Sequence, residues 1–351
     1  MKSLRFTFLC ILTSLLLYSC TKETGVDMES PADIKPIGFT ADPFGQSGFT
    51  RGTPIGTATG IPNMGVYAYY TGNGAANNWT AQGATATPNF LDGITVSQSG
   101  GTWSYINPVY WPYAKDANVT FFAYSPVTTT NNGIVIKNTT GVPTLTYTVP
   151  TDCSNQPDLL VAQPKPDLNK NNTGSSPVKF SFHHALTCIS FKLAGGGKKV
   201  TSIKVKGVQT SGTLSMDGTV INWTDLSETP ATAFAAGLST PGGVTLTEEL
   251  KDVLSPDGYL LMIPHTLGSQ AVIVVSVEGK KDIEFSLANT KWESGKRVNY
   301  SITLKSTPIL EITIEDWKPG YDAPVNTDPV TEPDIDIGDW DNTGNNETVD
   351  Y

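Results

Sequence analysis

Histidine is the side chain best suited to carry a proton or a metal near neutral pH, and this chain has three, His183, His184 and His265. Neighbouring residues on a strand point to opposite faces, so His183 and His184 do not share one metal if their stretch is extended. His265 follows Pro264 with no second ligand beside it. The spacings of nucleophile elbows, phosphate-binding loops, zinc proteases and dinucleotide folds are absent. Carboxylates are plentiful, but sequence alone pairs no two of them across a sugar. The residues therefore point to no catalytic group, no cofactor and no metal, and to a protein that is not an enzyme. One string departs from this: Asp339, Asp341, Thr343, Gly344, Glu347 and Asp350 stand at positions one, three, five, six, nine and twelve of a calcium loop. Flanking helices are missing there, and a solvated acidic tail is the plainer reading.

Cysteine chemistry is clearer. Lys2 and Arg5 precede an apolar run from Phe6 to Tyr18, the charged and hydrophobic parts of a signal peptide over 1–19. The run is short for a membrane span. Leu17 to Cys20 reads LYSC, matching the bacterial lipobox, in which a small residue precedes the cysteine that takes a diacylglycerol on its thiol. Cys20 is thus the expected lipidation site. Each buried methylene of an acyl chain adds about 0.8 kcal/mol of membrane attachment, so multiple acylation gives a firm anchor. Cys153 and Cys188 remain, and an exported chain permits a disulfide without establishing one.

Over 351 residues the formal net charge is −10, and removal of Lys2 and Arg5 makes it more negative still. Such a chain repels nucleic acid. After Lys318 there is no basic residue, whereas nine are acidic, from Asp322 to Asp350, so 319–351 is a separate acidic unit.

The elements that would carry these residues are short strands. Gly (33) and Pro (24) punctuate runs rich in β-branched and aromatic side chains, which predicts an all-β fold. GVYAYY, GTWSY, NVTFFAYSP, GIVIK, PTLTYTVP and PDLLVAQ form a first set. A polar stretch over 164–177 reads as a linker. A second set follows, from PVKFSFHHALTCISFKL to ILEITIEDW. In PVKFSFHHALTCISFKL, Phe180 and Phe182 share one parity while Ile189, Phe191 and Leu193 share the other, which predicts a bulge or kink near His184 to Thr187. Before the first set lies IKPIGFTA, where Ile37, Phe39 and Ala41 alternate and Pro36 marks an edge strand. The boundaries read 1–19 signal peptide, 20–51 leader, 52–170 and 176–318 two β-sandwiches, and 319–351 tail. In the tail, Ile335 and Ile337 alternate with aspartates ahead of Trp340, a strand with no evident partner of its own. The seven tryptophans leave a further reading open, a monomeric surface lipoprotein that stacks glycans on an exposed aromatic row; core or rim packing is the plainer one.

Five strings fall in an order that resembles the fimbrillin-like family. They are PVYWPYAKDANVTFFAYSP (108–126), DLLVA (158–162), FSFHHAL (180–186), Trp292-x-x-Gly295-Lys296 followed by Tyr300, and IEDW (314–317). The family, that of the type V pili of Bacteroidetes, implies two tandem transthyretin-like β-sandwiches, export as an outer-membrane lipoprotein precursor, and a place in cell-surface fimbriae. It implies assembly with other fimbrial subunits by strand exchange, with adhesion to a partner the sequence does not name. An Arg-specific protease removes an N-terminal strand, and a neighbour's extended strand fills the groove. Beyond the signal peptide only Arg51 and Arg297 are arginines. Arg297 lies beside a predicted core strand, so Arg51, followed by Gly52 in GFTRGT, is the candidate cleavage site. Ile335, Ile337 and Trp340 mark the candidate donor strand, although its acidity departs from an apolar plug.

Overall fold

The computed structural model describes residues 35–42, 60–174, 176–228 and 231–317. Its first ten strands are β1 (Phe39–Asp42), β2 (Asn63–Asn73), β3 (Leu91–Ser99), β4 (Thr102–Tyr105), β5 (Ala117–Ser125), β6 (Ile134–Asn138), β7 (Thr144–Thr148), β8 (Leu160–Ala162), β9 (Lys165–Leu168) and β10 (Val178–His184). Then come β11 (Thr187–Ala194), β12 (Lys199–Lys206), β13 (Gln209–Ser215), β14 (Trp223–Glu228), β15 (Ala233–Ala235), β16 (Val244–Thr245), β17 (Lys251–Asp252), β18 (Leu260–Met262), β19 (Val272–Val277), β20 (Ile283–Ser286), β21 (Lys296–Thr303) and β22 (Ile309–Asp316). Two single-turn helices, α1 (Trp79–Gln82) and α2 (Lys170–Thr173), are the α-helices among the described residues. The architecture is all-β, as the composition requires.

Four sheets result. The largest has the order β1-β10-β8-β5-β2-β3-β4, with β9 added beside β5. A second runs β17-β11-β21-β22 with β18 also on β11; a third runs β15-β12-β19-β20 with β16 on β12; the fourth runs β14-β13-β7-β6. Strands from either side of the polar stretch 164–177 share sheets: β10 lies between β1 and β8, and β7 pairs with β13. That stretch is itself structured, through β9 and α2, and Asn169 caps α2 with a reciprocal box to Asn172.

Period-two alternation divides the largest sheet between two cores. On β2, Met64, Val66 and Ala68 enter one cluster while Tyr67 and Tyr69 enter the other. On β5, Val119, Phe121 and Ala123 enter the first while Phe122 and Tyr124 enter the second. Every residue of β5 is buried as a result. The first cluster draws its buried members, Ile37 and Ile61 aside, from this one sheet, so the sheet curls around its own core. Its two edges approach where Phe39 of β1 meets Tyr105 of β4.

The parity change in PVKFSFHHALTCISFKL has a larger cause than a kink. β10 ends at His184 in the largest sheet and β11 begins at Thr187 in the second. Ala185 and Leu186, both fully buried, make the crossing. Cys153 and Cys188 are buried and no disulfide joins them.

One buried group tests the packing. The hydroxyl of Tyr147 lies in the second core without a hydrogen-bond partner among the described residues, and burial pushes its pKa up. An unmade buried bond destabilises, so Tyr147→Phe is expected to leave the free energy of unfolding unchanged or raise it by up to about 1 kcal/mol in chemical denaturation. A loss larger than that contradicts an unpartnered hydroxyl.

Candidate functional site

The strand that stands apart by sequence, β1, occupies an edge of the curled sheet. It pairs in parallel with β10, Phe39 beside Val178 and Ala41 beside Phe180. Alternation sends Ile37, Phe39 and Ala41 into the first core, at 2%, 3% and 9% exposure, while Gly38 is exposed. Phe39 is the centre of the contact. Its ring stacks on Phe180 at 6.1 Å and meets Phe121 and Tyr105 edge-on at 6.1 and 5.4 Å. Trp111 braces Phe121 from behind at 5.8 Å. The loop after β4 holds the start of the strand: the Ile37 N–H donates to the Val109 carbonyl (2.8 Å), and the Tyr105 hydroxyl donates to the Ile37 carbonyl (2.8 Å). That hydroxyl also accepts from the Val109 N–H at 3.2 Å, and burial raises the Tyr105 pKa. On the other side the Val178 N–H donates to the Gly38 carbonyl at 2.8 Å. Sequence reading found Ile37, Phe39 and Ala41; it missed Tyr105 and Val109, although both lie in or next to the string 108–126.

A second cluster fixes the wall against which β1 lies. Where β10 crosses to β11, the His184 ring bonds Asp158 through Nδ1 at 3.0 Å and stacks on Trp317 at 4.0 Å, 11° from parallel. The Trp317 N–H donates to the Gly295 carbonyl and the Gly295 N–H to the Leu186 carbonyl. The Ala185 carbonyl accepts from the Trp223 indole and the Ser294 hydroxyl. Trp292 donates through Nε1 to the Tyr300 hydroxyl at 2.9 Å. Four of the five motif strings therefore meet at one crossing, as structural ties.

The histidines follow the same pattern. His265 has Nδ1 at 2.8 Å from the Ile263 carbonyl, and its Nε2 accepts from the Gln209 N–H at 3.3 Å. A carbonyl accepts only, so the proton sits on Nδ1. His183 and His184 line one cleft with Ser294 and Trp317. Among the described residues no group of three or more His, Cys, Asp or Glu is placed to hold a metal. Arg297 is 5% exposed in β21, with its guanidinium 5.2 Å from the Tyr259 ring centre. Of the tryptophans, Trp292 and Trp317 are buried, and Trp79, Trp103, Trp111 and Trp223 are half-buried against the cores. The exposed row that glycan stacking needs is not formed by tryptophan among the described residues. Cys20, Arg51, Gly52, Ile335, Ile337, Trp340 and the calcium-like string 339–350 lie outside them.

Comparison with known proteins gives a consistent picture. The model of a family described as fimbrillin-like matches residues 50–317. A curated relative, Fimbrium subunit Fim1C of Phocaeicola vulgatus, is 29% identical over 199 residues, covering 52% of this chain and 50% of that protein. The chain thus spans about half the length of the curated relative it matches. Among solved structures, a fimbrial protein from Bacteroides vulgatus superposes with a TM-score of 0.59 at 18% identity, over 81% of this chain and 99% of that one. A candidate cell adhesion protein from Bacteroides ovatus gives 0.53 at 17% identity, over 81% and 98%. At these identities the structures speak to the fold.

Two measurements check the site. Phe39→Ala empties the centre of the first core and is expected to cost about 3–5 kcal/mol in chemical denaturation; a cost below about 1 kcal/mol means the strand contributes little. Burial, reinforced by His184, lowers the His183 pKa below its ordinary 6.5. The unfolded chain then binds the proton more tightly, so this contribution to stability is complete above about pH 6.5 and is lost as pH falls through the lowered pKa. His183→Gln is expected to flatten the acid limb of a melting-temperature profile, and an unchanged limb contradicts the assignment.

Proposed function

The chain belongs to the fimbrillin-like family, and from that premise we propose that it is a structural subunit of cell-surface fimbriae, joined to its neighbours by exchange of a strand. The observation that carries this reading is β1. It lies on the N-terminal side of Arg51, occupies a sheet edge and, with Ile37 just before it, sends three side chains into the first core. An edge strand detaches without breaking a ladder on both sides. What it leaves is a row of unpaired backbone groups over an apolar floor, which another extended segment can satisfy.

In this proposal the precursor is exported through the signal peptide over 1–19, lipidated at Cys20 and held at the outer membrane. An Arg-specific protease cuts between Arg51 and Gly52, which severs β1 from the remainder and frees the protein from its anchor. Support for a single cut comes from Arg297: protease subsites bind an extended, accessible backbone, and this residue is buried within β21. The tail around Ile335, Ile337 and Trp340 is the candidate donor to a neighbouring subunit. The role is structural and adhesive rather than catalytic, needs no cofactor, and involves no nucleic acid.

The expected result of treating the folded chain from Cys20 onward with an Arg-specific protease is one cut, after Arg51, read by intact mass. In cells, Arg51→Lys is expected to remove the protein from sheared fimbriae and leave it in the membrane fraction. Normal incorporation of the Arg51→Lys protein contradicts the proposal.

A further inference from the structure

The seat that β1 occupies is shaped for a particular sequence. Its first inward position takes Ile37, whose N–H is used by the Val109 carbonyl. The residue after it has no room to spare: a Cβ on Gly38 would stand 3.2 Å from the Cβ of Pro177. The second inward position takes an aromatic ring among Tyr105, Phe121 and Phe180. The third takes the small Ala41, buried beside the same core. The buried acidic and basic side chains among the described residues, Asp158, His184 and Arg297, lie elsewhere, the first two bonded to each other and the third beside Tyr259.

The acidic tail of the chain does not meet these terms with Ile335 or Ile337 inward in the direction of β1, nor with Trp340 in place of Phe39, where Asp339 stands against Pro177 while Gly338 and Asn342 replace Ile37 and Ala41. With Ile335 in place of Ile37, Asp336 stands against Pro177 and Asp339 is buried in place of Ala41. With Ile337 in place of Ile37, Asp339 replaces Phe39 at the centre of the aromatic cluster. With Ile335 in place of Phe39, Pro333 lacks the N–H that bonds Val109, Asp334 stands against Pro177, and Ile337 overfills the position of Ala41. Burying an unpaired carboxylate is the heaviest of these penalties.

Resting on the strand-exchange reading, we propose that the seat selects a strand of a different chain. That strand is uncharged at its three inward positions, with glycine after the first of them, an aromatic at the second and a small residue at the third. The tail of this subunit then serves a seat of another shape, and the subunit has unlike neighbours on its two sides.

The test uses the full chain cut after Arg51. A fluorescent peptide of residues 34–42 is offered to it, after a mild denaturant wash to release the leader, and binding is followed by anisotropy. Unlabelled 34–42 peptide is expected to compete fully. A peptide of residues 331–340, and a 34–42 peptide carrying Phe39→Asp, are expected to compete at least about 100-fold more weakly, the scale of a buried uncompensated charge. Competition by the 331–340 peptide within about threefold of the 34–42 peptide overturns the selectivity while leaving strand exchange intact. Failure of the labelled peptide to bind at all overturns both.

Discussion

Closure of the largest sheet over its own core depends on one contact, the parallel pairing of β1 with β10 and the seating of Phe39 that goes with it. Burial of a residue such as Ile37 or Phe39 contributes about 1.5–3 kcal/mol each. The pairing spans four residues of β1, Phe39 to Asp42. That closes the curled sheet, and in the proposed exchange a similar strand takes its place. Because β1 is at the edge, its removal leaves β10 paired with β8 and the remainder of the sheet in register. The floor it uncovers, Phe121 and Phe180 with Tyr105 beside them, is an aromatic surface that water covers poorly.

Holding that floor in place is the work of the second core. β10 presents Phe180 and Phe182 to the curled sheet, then within two further residues ends at His184, which is tied to Asp158 and Trp317. The chain crosses at Ala185 and Leu186 under bonds from Trp223, Ser294 and Gly295. β5 is buried on both faces and so couples the same two cores through Phe121 on one side and Phe122 on the other. The crossing that ends β10 is therefore tied by contacts in a core that β1 does not enter, and those contacts do not depend on β1.

Much of this was legible in the sequence. Alternation located β1, β2, β5 and the strand pair around His184, and the isolation of IKPIGFTA with its Pro36 marked an edge. Alternation is a local signal, though, and sheet membership is not local. The parity break at Ala185 and Leu186 therefore read as a kink rather than a change of sheet. The stretch 164–177 read as a linker because its side chains are polar, yet β9 earns its place through backbone pairing with β5, to which side-chain hydropathy is blind. The histidines gave no catalytic signal, and their bonds to Asp158, the Ile263 carbonyl and the Gln209 N–H are tertiary facts that spacing could not supply.

The most direct measurement is the N-terminus of the protein recovered from fimbriae on the native cell surface, by intact mass and terminal peptide mapping. If β1 is a strand made to be removed, the polymerised protein starts at Gly52 and residues 37–42 are missing from it. Fimbriae built from chains that still carry residues 37–42, and that start at a lipidated Cys20, contradict the removable strand and with it the assembly derived from it.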